Sequence, residues 1–266
     1  NNVGFGALDP RPLATLALPA GGSPFRIRRD VGDVVVTRQD GGELLREPLG
    51  VLRRLTFPLP SGDQQVVVDY SGGDPVPVEG LVVTGGGGND TLTLEGGGNR
   101  NVFFHGGVGR NSLNLLSSNV PMDLTDPAQR LLVNLHTLDV RGAGAHTLSL
   151  DKVSVDQVTD AANELRVLSN LDDTVQPGSG WQLTGTQVAD GMFFRILEQT
   201  GSRLLLSGPA DWSNPINRFD VDADPIEHLH KRDPVALSGQ ELRGFAADCV
   251  AAADHDALVF DPLFTA

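Results

Sequence analysis

Residues Gly85 to Thr93 read Gly-Gly-Gly-Gly-Asn-Asp-Thr-Leu-Thr, a full match to the nonapeptide G-G-x-G-x-D-x-U-x, in which U is apolar. No other segment restricts the fold as much. The glycines permit the left-handed backbone of a tight turn. The aspartate can turn a carboxylate toward a cation held between turns, and the eighth residue points into a core. Each unit is one turn plus one short strand, and units stacked in register make parallel sheets. The expected fold class is therefore all-β, with a parallel β-solenoid of β-helix or β-roll type over residues 23–150.

Degenerate copies begin at Gly96 and Gly106. The copy from Gly106 to Asn114 keeps Gly107, Gly109 and the apolar Leu113 but carries Asn111 where the acid belongs. In the middle copy Asn99 displaces the last glycine and Asn101 takes the acid position. Starts at 85 and 106 are 21 residues apart, which stacks Asp90 over Asn111. A cation there would meet one carboxylate, one amide oxygen and backbone carbonyls, whereas Ca²⁺ takes about six to eight oxygens. Two readings stand: Ca²⁺ held by Asp90 and Asn111, or a metal-free stack in which Asn89, Asn99, Asn101 and Asn111 hydrogen-bond along the pile.

Strand-like runs surround these copies. Phe25 to Arg28, Asp33 to Thr37 and Gln65 to Tyr70 precede them, and Gly80 to Thr84, Thr91 to Leu94, Val102 to Phe104 and Ser112 to Leu115 run through them. Met122 to Leu124, Leu131 to Leu135 and Leu138 to Val140 follow. His136-Thr137-Leu138 recurs as His146-Thr147-Leu148, an offset of 10 that matches the repeat step. Four or five residues supply about two inward side chains, each contributing roughly 1.5–3 kcal/mol when buried, so neighbouring strands must cooperate. Residues 1–22 read as an N-terminal arm.

From Asp151 the pattern changes. Asp190-Gly191 and Thr200-Gly201 are hairpin signals between apolar runs, so residues 181–207 read as a small antiparallel meander with Trp181 over one end of its core. A sugar-binding platform at Trp181 is the alternative, set against an aromatic content of 5%. The series Asn163-Glu164-Leu165-Arg166-Val167, Asp172-Asp173-Thr174-Val175, Gly180-Trp181, Asp190-Gly191-Met192-Phe193-Phe194 and Ser202-Arg203-Leu204-Leu205-Leu206 resembles a module of large haemolysin-type surface proteins and bacterial adhesins. With the glycine-rich copies, which are similar to RTX-like repeats, it also resembles planctomycete-type secreted proteins. That resemblance implies an adhesin-like β module over residues 151–208, an extracellular or cell-surface location and a role not defined by catalysis.

Residues 209–266 form an acidic C-terminal segment: from Asp211 onward it holds eleven acids against four bases. Trp212 to Asp224 resembles the entrance to a dockerin-like calcium segment, with Asp220, Asp222 and Asp224 at the 1, 3, 5 spacing of an EF-hand loop. Pro225 stands where that loop has its turn glycine, and Lys231 where it has its last acidic ligand, so a solvated acidic loop is the other reading. Ser238 to Glu241 is a capping box, and Leu242, Phe245, Ala246, Cys249, Val250 and Ala253 share one helical face. That amphipathic helix is expected to cap the terminal coil of the solenoid or to dock on a partner subunit, with Cys249 buried.

Composition narrows the function. A net charge of −14 argues against a nucleic-acid backbone or an anionic membrane surface as partner. With a single cysteine no intrachain disulfide can form, and no apolar run is long enough to insert directly into a membrane. The apolar stretch Leu13 to Ala20 makes a poor signal peptide, and the expectation is a chain that begins after processing or is a segment of a longer one. The sequence contains no nucleophile elbow, phosphate loop or helical zinc pair; His228, His230, His255 and Asp256 read as solvated side chains in an acidic tail or, alternatively, as metal ligands. The expectation is a non-catalytic structural, adhesive or assembly protein, stabilised by Ca²⁺ in one version. Its partners would be protein subunits, as a homo- or hetero-oligomer, or cell-surface components. The alternative is a carbohydrate-active β-helix enzyme, a polysaccharide lyase or hydrolase, which needs a groove lined with carboxylates and cations in which the sequence alone does not place Arg26, Arg28, Arg100 or Arg110.

Overall fold

The computed structural model describes residues 12–21, 23–96, 101–116, 121–129 and 131–207. They belong to one compact unit, Asn1–Asn217; the second unit, Arg218–Ala266, lies outside the described residues. The expected acidic loop with Asp220, Asp222 and Asp224, the tail histidines and the helix around Cys249 therefore also lie outside them.

Alternation decides where the strands form. In Thr91-Leu92-Thr93-Leu94-Glu95 both leucines are buried and their neighbours half-exposed, the period-two pattern of a strand covered on one face. The chain then moves between sheets in a repeated order. β1 (Leu13–Thr15) leads to β2 (Phe25–Asp30), which runs through the hairpin strands β3 (Asp33–Thr37) and β4 (Glu43–Pro48). Two passes follow, β5 (Arg54–Pro58) with β6 (Gln65–Asp69) and β7 (Leu81–Thr84) with β8 (Thr91–Glu95). Two longer passes add a third strand each: β9 (Val102–His105), β10 (Asn111–Leu115), β11 (Pro121–Asp123), then β12 (Leu132–Val133), β13 (Leu135–Asp139), β14 (Thr147–Leu150). A helix, α1 (Lys152–Val158), precedes β15 (Glu164–Leu168) and β16 (Thr174–Pro177), and the described chain ends in β17 (Gln182–Ala189), β18 (Met192–Gln199) and β19 (Ser202–Ser207).

Each strand of a pass pairs in parallel with its counterpart in the next. The first sheet is ordered β1-β5-β7-β9-β12 and the third β11-β14-β16, both wholly parallel. The second has eleven strands: β6, β8, β10, β13 and β15 continue in parallel between β2 and β19. Its register sets a column of buried side chains, Val66 beside Leu92, Leu92 beside Leu113, Leu113 beside Leu138 and Leu138 beside Val167. The all-β class holds, with parallel and mixed sheets and one short α-helix among the described residues.

Both ends of the second sheet turn antiparallel. At one end β2, β3 and β4 form a meander that adds Val34 and Val36 to the core. At the other, β17, β18 and β19 form the meander expected over residues 181–207, with Leu197 and Trp181 in the core. Its turns, Asp190-Gly191 and Thr200-Gly201, have positive φ at both residues, as tight hairpins require.

Four features differ from the sequence reading. Leu13–Thr15 of the expected N-terminal arm pairs with Arg54–Thr56 as the edge of the first sheet. The division expected at residue 151 falls inside the second sheet, because β15 joins β13 to β19. The run Leu131 to Leu135 is broken at Asn134, whose φ of 55° bends the chain from the first sheet into the second. The helix α1 was not anticipated. Asp151 accepts from the Ser154 amide at 2.7 Å and Ser154 Oγ accepts from the Asp151 amide at 2.7 Å, a reciprocal cap that starts a helix despite its valines.

Candidate functional site at the glycine-rich corner

The nonapeptide copies form the corner between the first and second sheets. Gly88 and Gly109 hold φ of 125° and 126° and stack on Gly62, itself at 94°. A Cβ on Gly88 would lie 2.5 Å from the carbonyl carbon of Gly62, and one on Gly109 would overlap the Gly88 carbonyl oxygen. These glycines therefore serve both backbone sign and close packing of successive turns. The Gly88 amide donates to the Val108 carbonyl at 3.0 Å and the Val108 amide to the Gly86 carbonyl at 2.9 Å.

Two side-chain ladders run through this corner in opposite directions. On the inside, Asp90 Oδ1 accepts from the Gln64 amide of the preceding pass at 2.9 Å, and Asn111 Oδ1 accepts from the Asp90 amide at 2.9 Å. Outside, Asp63 accepts from the Asn89 amide of the following pass at 2.7 Å and Asn89 Oδ1 from the Arg110 amide at 2.8 Å. Asp90 thus stacks with Asn111, at the spacing of 21 read from the sequence. Asn101 takes part through its backbone, at φ 58° with its carbonyl accepting from Leu81 at 2.8 Å; Asn99 and Arg100 lie outside the described residues.

This geometry explains why asparagine replaces the acid. The ladder needs one oxygen acceptor, and either residue supplies it. Asn111 adds a donor, with Nδ2 3.0 Å from the Asn134 carbonyl. Asp90 has no such donor: both residues are fully buried, and Asp90 Oδ2 accepts no well-formed hydrogen bond. Burial raises the Asp90 carboxyl above its ordinary range, offset by the amides of Gln64 and Gly86 and reinforced by the charge of Asp63. To a Ca²⁺ ion the pair would offer one carboxylate oxygen, Oδ2 beside Gly85, and the described residues contain no group of three or more acids, histidines or cysteines gathered as for a metal.

The same device recurs in the third sheet, where sequence reasoning missed it. Asp173 Oδ1 accepts from the His146 amide at 2.9 Å and lies 3.1 Å from its Nδ1, while Oδ2 accepts from the Asn170 amide at 2.6 Å. Both side chains are essentially fully buried. A shared signal was available: Asp90-Thr91-Leu92, Asn111-Ser112-Leu113 and Asp173-Thr174-Val175 all place Asp or Asn, then a hydroxyl residue, then an apolar one at a strand start.

The outer face of the second sheet carries the exposed polar chemistry. Arg26 Nη1 lies 2.7 Å from both Asp69 and Glu95, on three adjacent strands. Burial alone would raise the Asp69 carboxyl, but hydrogen bonds from Ser71 and Arg26 outweigh it and hold it below the usual range. A carboxylate so fixed is a weak proton acceptor. Further along, the register shift between β10 and β13 leaves His136 without a partner in the pairing, and burial, with Arg110 and Arg166, lowers its pKa. Arg166 pairs with Asp190 at 2.8 Å and lies over the Phe194 ring. Compared with models of protein families, with curated proteins and with solved structures, the chain gives no match.

Proposed function

We propose that this chain is a β-solenoid protein of the cell exterior with a non-catalytic structural, adhesive or assembly role. The parallel registers support the solenoid, since successive passes return a strand to the second sheet beside the one before it, and the first and third sheets grow the same way over part of the chain. The observation that carries the role is how the acids and amides are used. Asp63, Asn89, Asp90, Asn111 and Asp173 accept backbone amides of neighbouring passes, and Asp69 and Glu95 are paired to Arg26. These groups tie the passes to one another. The resemblance to RTX-like repeats, adhesin modules and planctomycete-type secreted proteins supports an exterior location.

The competing reading, a carbohydrate-active β-helix enzyme, draws on that same Arg26, Asp69 and Glu95 cluster on the outer face. Incubation with a panel of acidic and neutral polysaccharides separates the two, with new reducing ends and unsaturated uronate absorbance as readouts. The structural role predicts neither product. Chain cleavage that Asp69→Asn abolishes would overturn it. Fractionation of the native source tests location: the protein is expected in the medium or on the cell surface, and a purely cytosolic pool would contradict that.

A further inference from the structure

We infer that β17 is the surface through which two copies of this chain associate, by antiparallel pairing of one β17 with the other about a two-fold axis. This rests on the assembly reading and names its partner. A strand at a sheet edge offers unpaired backbone groups to any other strand, and proteins blunt such edges by making them short, charged or proline-bearing. Five of the six sheet edges among the described residues follow that rule. β1 has three residues and β12 two; β11 has three and begins with Pro121; β16 has four and ends with Pro177. β4 has six but carries Glu43, Arg46, Glu47 and Pro48.

β17 departs from the rule. It has eight residues, Gln-Leu-Thr-Gly-Thr-Gln-Val-Ala, with no charge and no proline, and among the described residues it pairs on one side only, with β18. Its one irregularity sits near the start, between Leu183 and Gly185, leaving Gly185 to Ala189 in regular register. Every second residue along the strand is exposed. Val188 lies opposite Phe193, and this apolar pair is 75% and 43% exposed, so an apolar patch adjoins the open edge.

A second copy fits this edge better than other partners. Copies with a net charge of −14 repel one another, and an uncharged strand is where they can approach most closely. Antiparallel pairing of identical strands is self-complementary and sets threonine, glutamine and valine against each other with no like charges opposed. It also joins the two eleven-stranded sheets into one and consumes the long edge of each. With the remaining edges among the described residues short or guarded, the assembly closes at two chains and does not extend to a fibre.

The test is the molar mass of the full chain by sedimentation velocity and light scattering, from low micromolar to the highest soluble concentration. The wild type is expected to reach the two-chain mass. Gln187→Lys, which brings like charges together across the two-fold and gives up the hydrogen bond that Gln187 accepts from Arg203 at 3.2 Å, is expected to hold the one-chain mass while its circular dichroism spectrum stays that of the folded wild type. Hydrogen exchange of the amides of residues 182–189 should slow with concentration in the wild type and not in Gln187→Lys. A wild type that stays single at every concentration would overturn the inference, as would a two-chain mass and edge protection undiminished in Gln187→Lys. Either result leaves the non-catalytic role standing, whereas polysaccharide cleavage would remove that role and leave the pairing untouched.

Discussion

Replacing Asp90 with asparagine should stabilise this protein, although it removes the only acid of the best-matched nonapeptide. In the inner ladder Oδ1 accepts the Gln64 amide, and asparagine keeps that oxygen. What changes is Oδ2, a buried carboxylate atom that accepts no well-formed hydrogen bond, the nearby Gly86 amide offsetting only part of the carboxyl's burial. Leaving such a group unsatisfied costs about 1–3 kcal/mol, more if charged. An amide nitrogen there can donate to carbonyls, as Asn111 Nδ2 donates to Asn134. Asp90→Asn is therefore expected to gain about 1–3 kcal/mol at neutral pH, at about 2–4 °C of melting temperature per kcal/mol for a chain this size.

The pH dependence follows from the raised pKa. A carboxyl whose folded pKa lies above its unfolded value contributes fully below the unfolded pKa of about 3.9, and its contribution falls as pH rises to and past the folded value. The advantage of Asp90→Asn should thus be largest at neutral pH and vanish in acid. Asp90→Ala strips the Gln64 amide of its acceptor and should lose about 1–3 kcal/mol instead. Urea and thermal unfolding followed by circular dichroism, with chelator and with millimolar Ca²⁺, measure all of this. Equal destabilisation by Asn and Ala in chelator would refute the ladder energetics. A loss in Asp90→Asn seen only with Ca²⁺ present would assign the carboxylate to the metal, since a ligand at 100-fold excess over Kd adds about 2.7 kcal/mol.

Other substitutions probe separate parts of the fold. Leu92→Ala and Leu113→Ala, at essentially fully buried stacked positions, should each lose about 2–5 kcal/mol by urea unfolding, and near-zero losses at both would mean these leucines face no shared core. Gly109→Ala should lose far more melting temperature than Gly191→Ala, because the first meets the Gly88 carbonyl whereas the second, also at positive φ, has open space; similar losses would contradict the close stacking. Arg26→Ala should cost about 1 kcal/mol, since the Arg26 side chain is only half-buried, and should weaken the acid limb of the stability profile. The contribution of Asp69 is present above its unfolded pKa and lost as pH falls through its lowered folded value, and an unchanged acid limb in Arg26→Ala would show that Arg26 does not set it.

Much of the parallel stacking was legible because it rests on local chemistry. Glycines at positions 85, 88, 106 and 109 announce a corner, leucines at alternate positions announce one-sided strands, and the spacing of 21 placed Asp90 beside Asn111. The purpose of the acid was not legible. An aspartate before a strand can face a cation, a backbone amide or both, and that Oδ1 accepts an amide depends on the position of Gln64, 26 residues earlier in sequence. His146 and Asp173 were hidden for the same reason, being 27 residues apart and joined only by the register of the third sheet. The helix α1 escaped because Lys-Val-Ser-Val-Asp-Gln-Val has poor helix propensity, and its cap uses serine where glutamate or glutamine would have signalled it. The protected edges became meaningful only once the sheet order showed which strands were edges.

The most direct measurement is the set of backbone nuclear Overhauser contacts between Thr91–Glu95 and Asn111–Leu115. Parallel stacking predicts contacts pairing Thr91 with Ser112, Leu92 with Leu113, Thr93 with Asn114 and Leu94 with Leu115. Contacts in antiparallel order, or pairing of Thr91–Glu95 with Val102–His105 as a local hairpin, would contradict it.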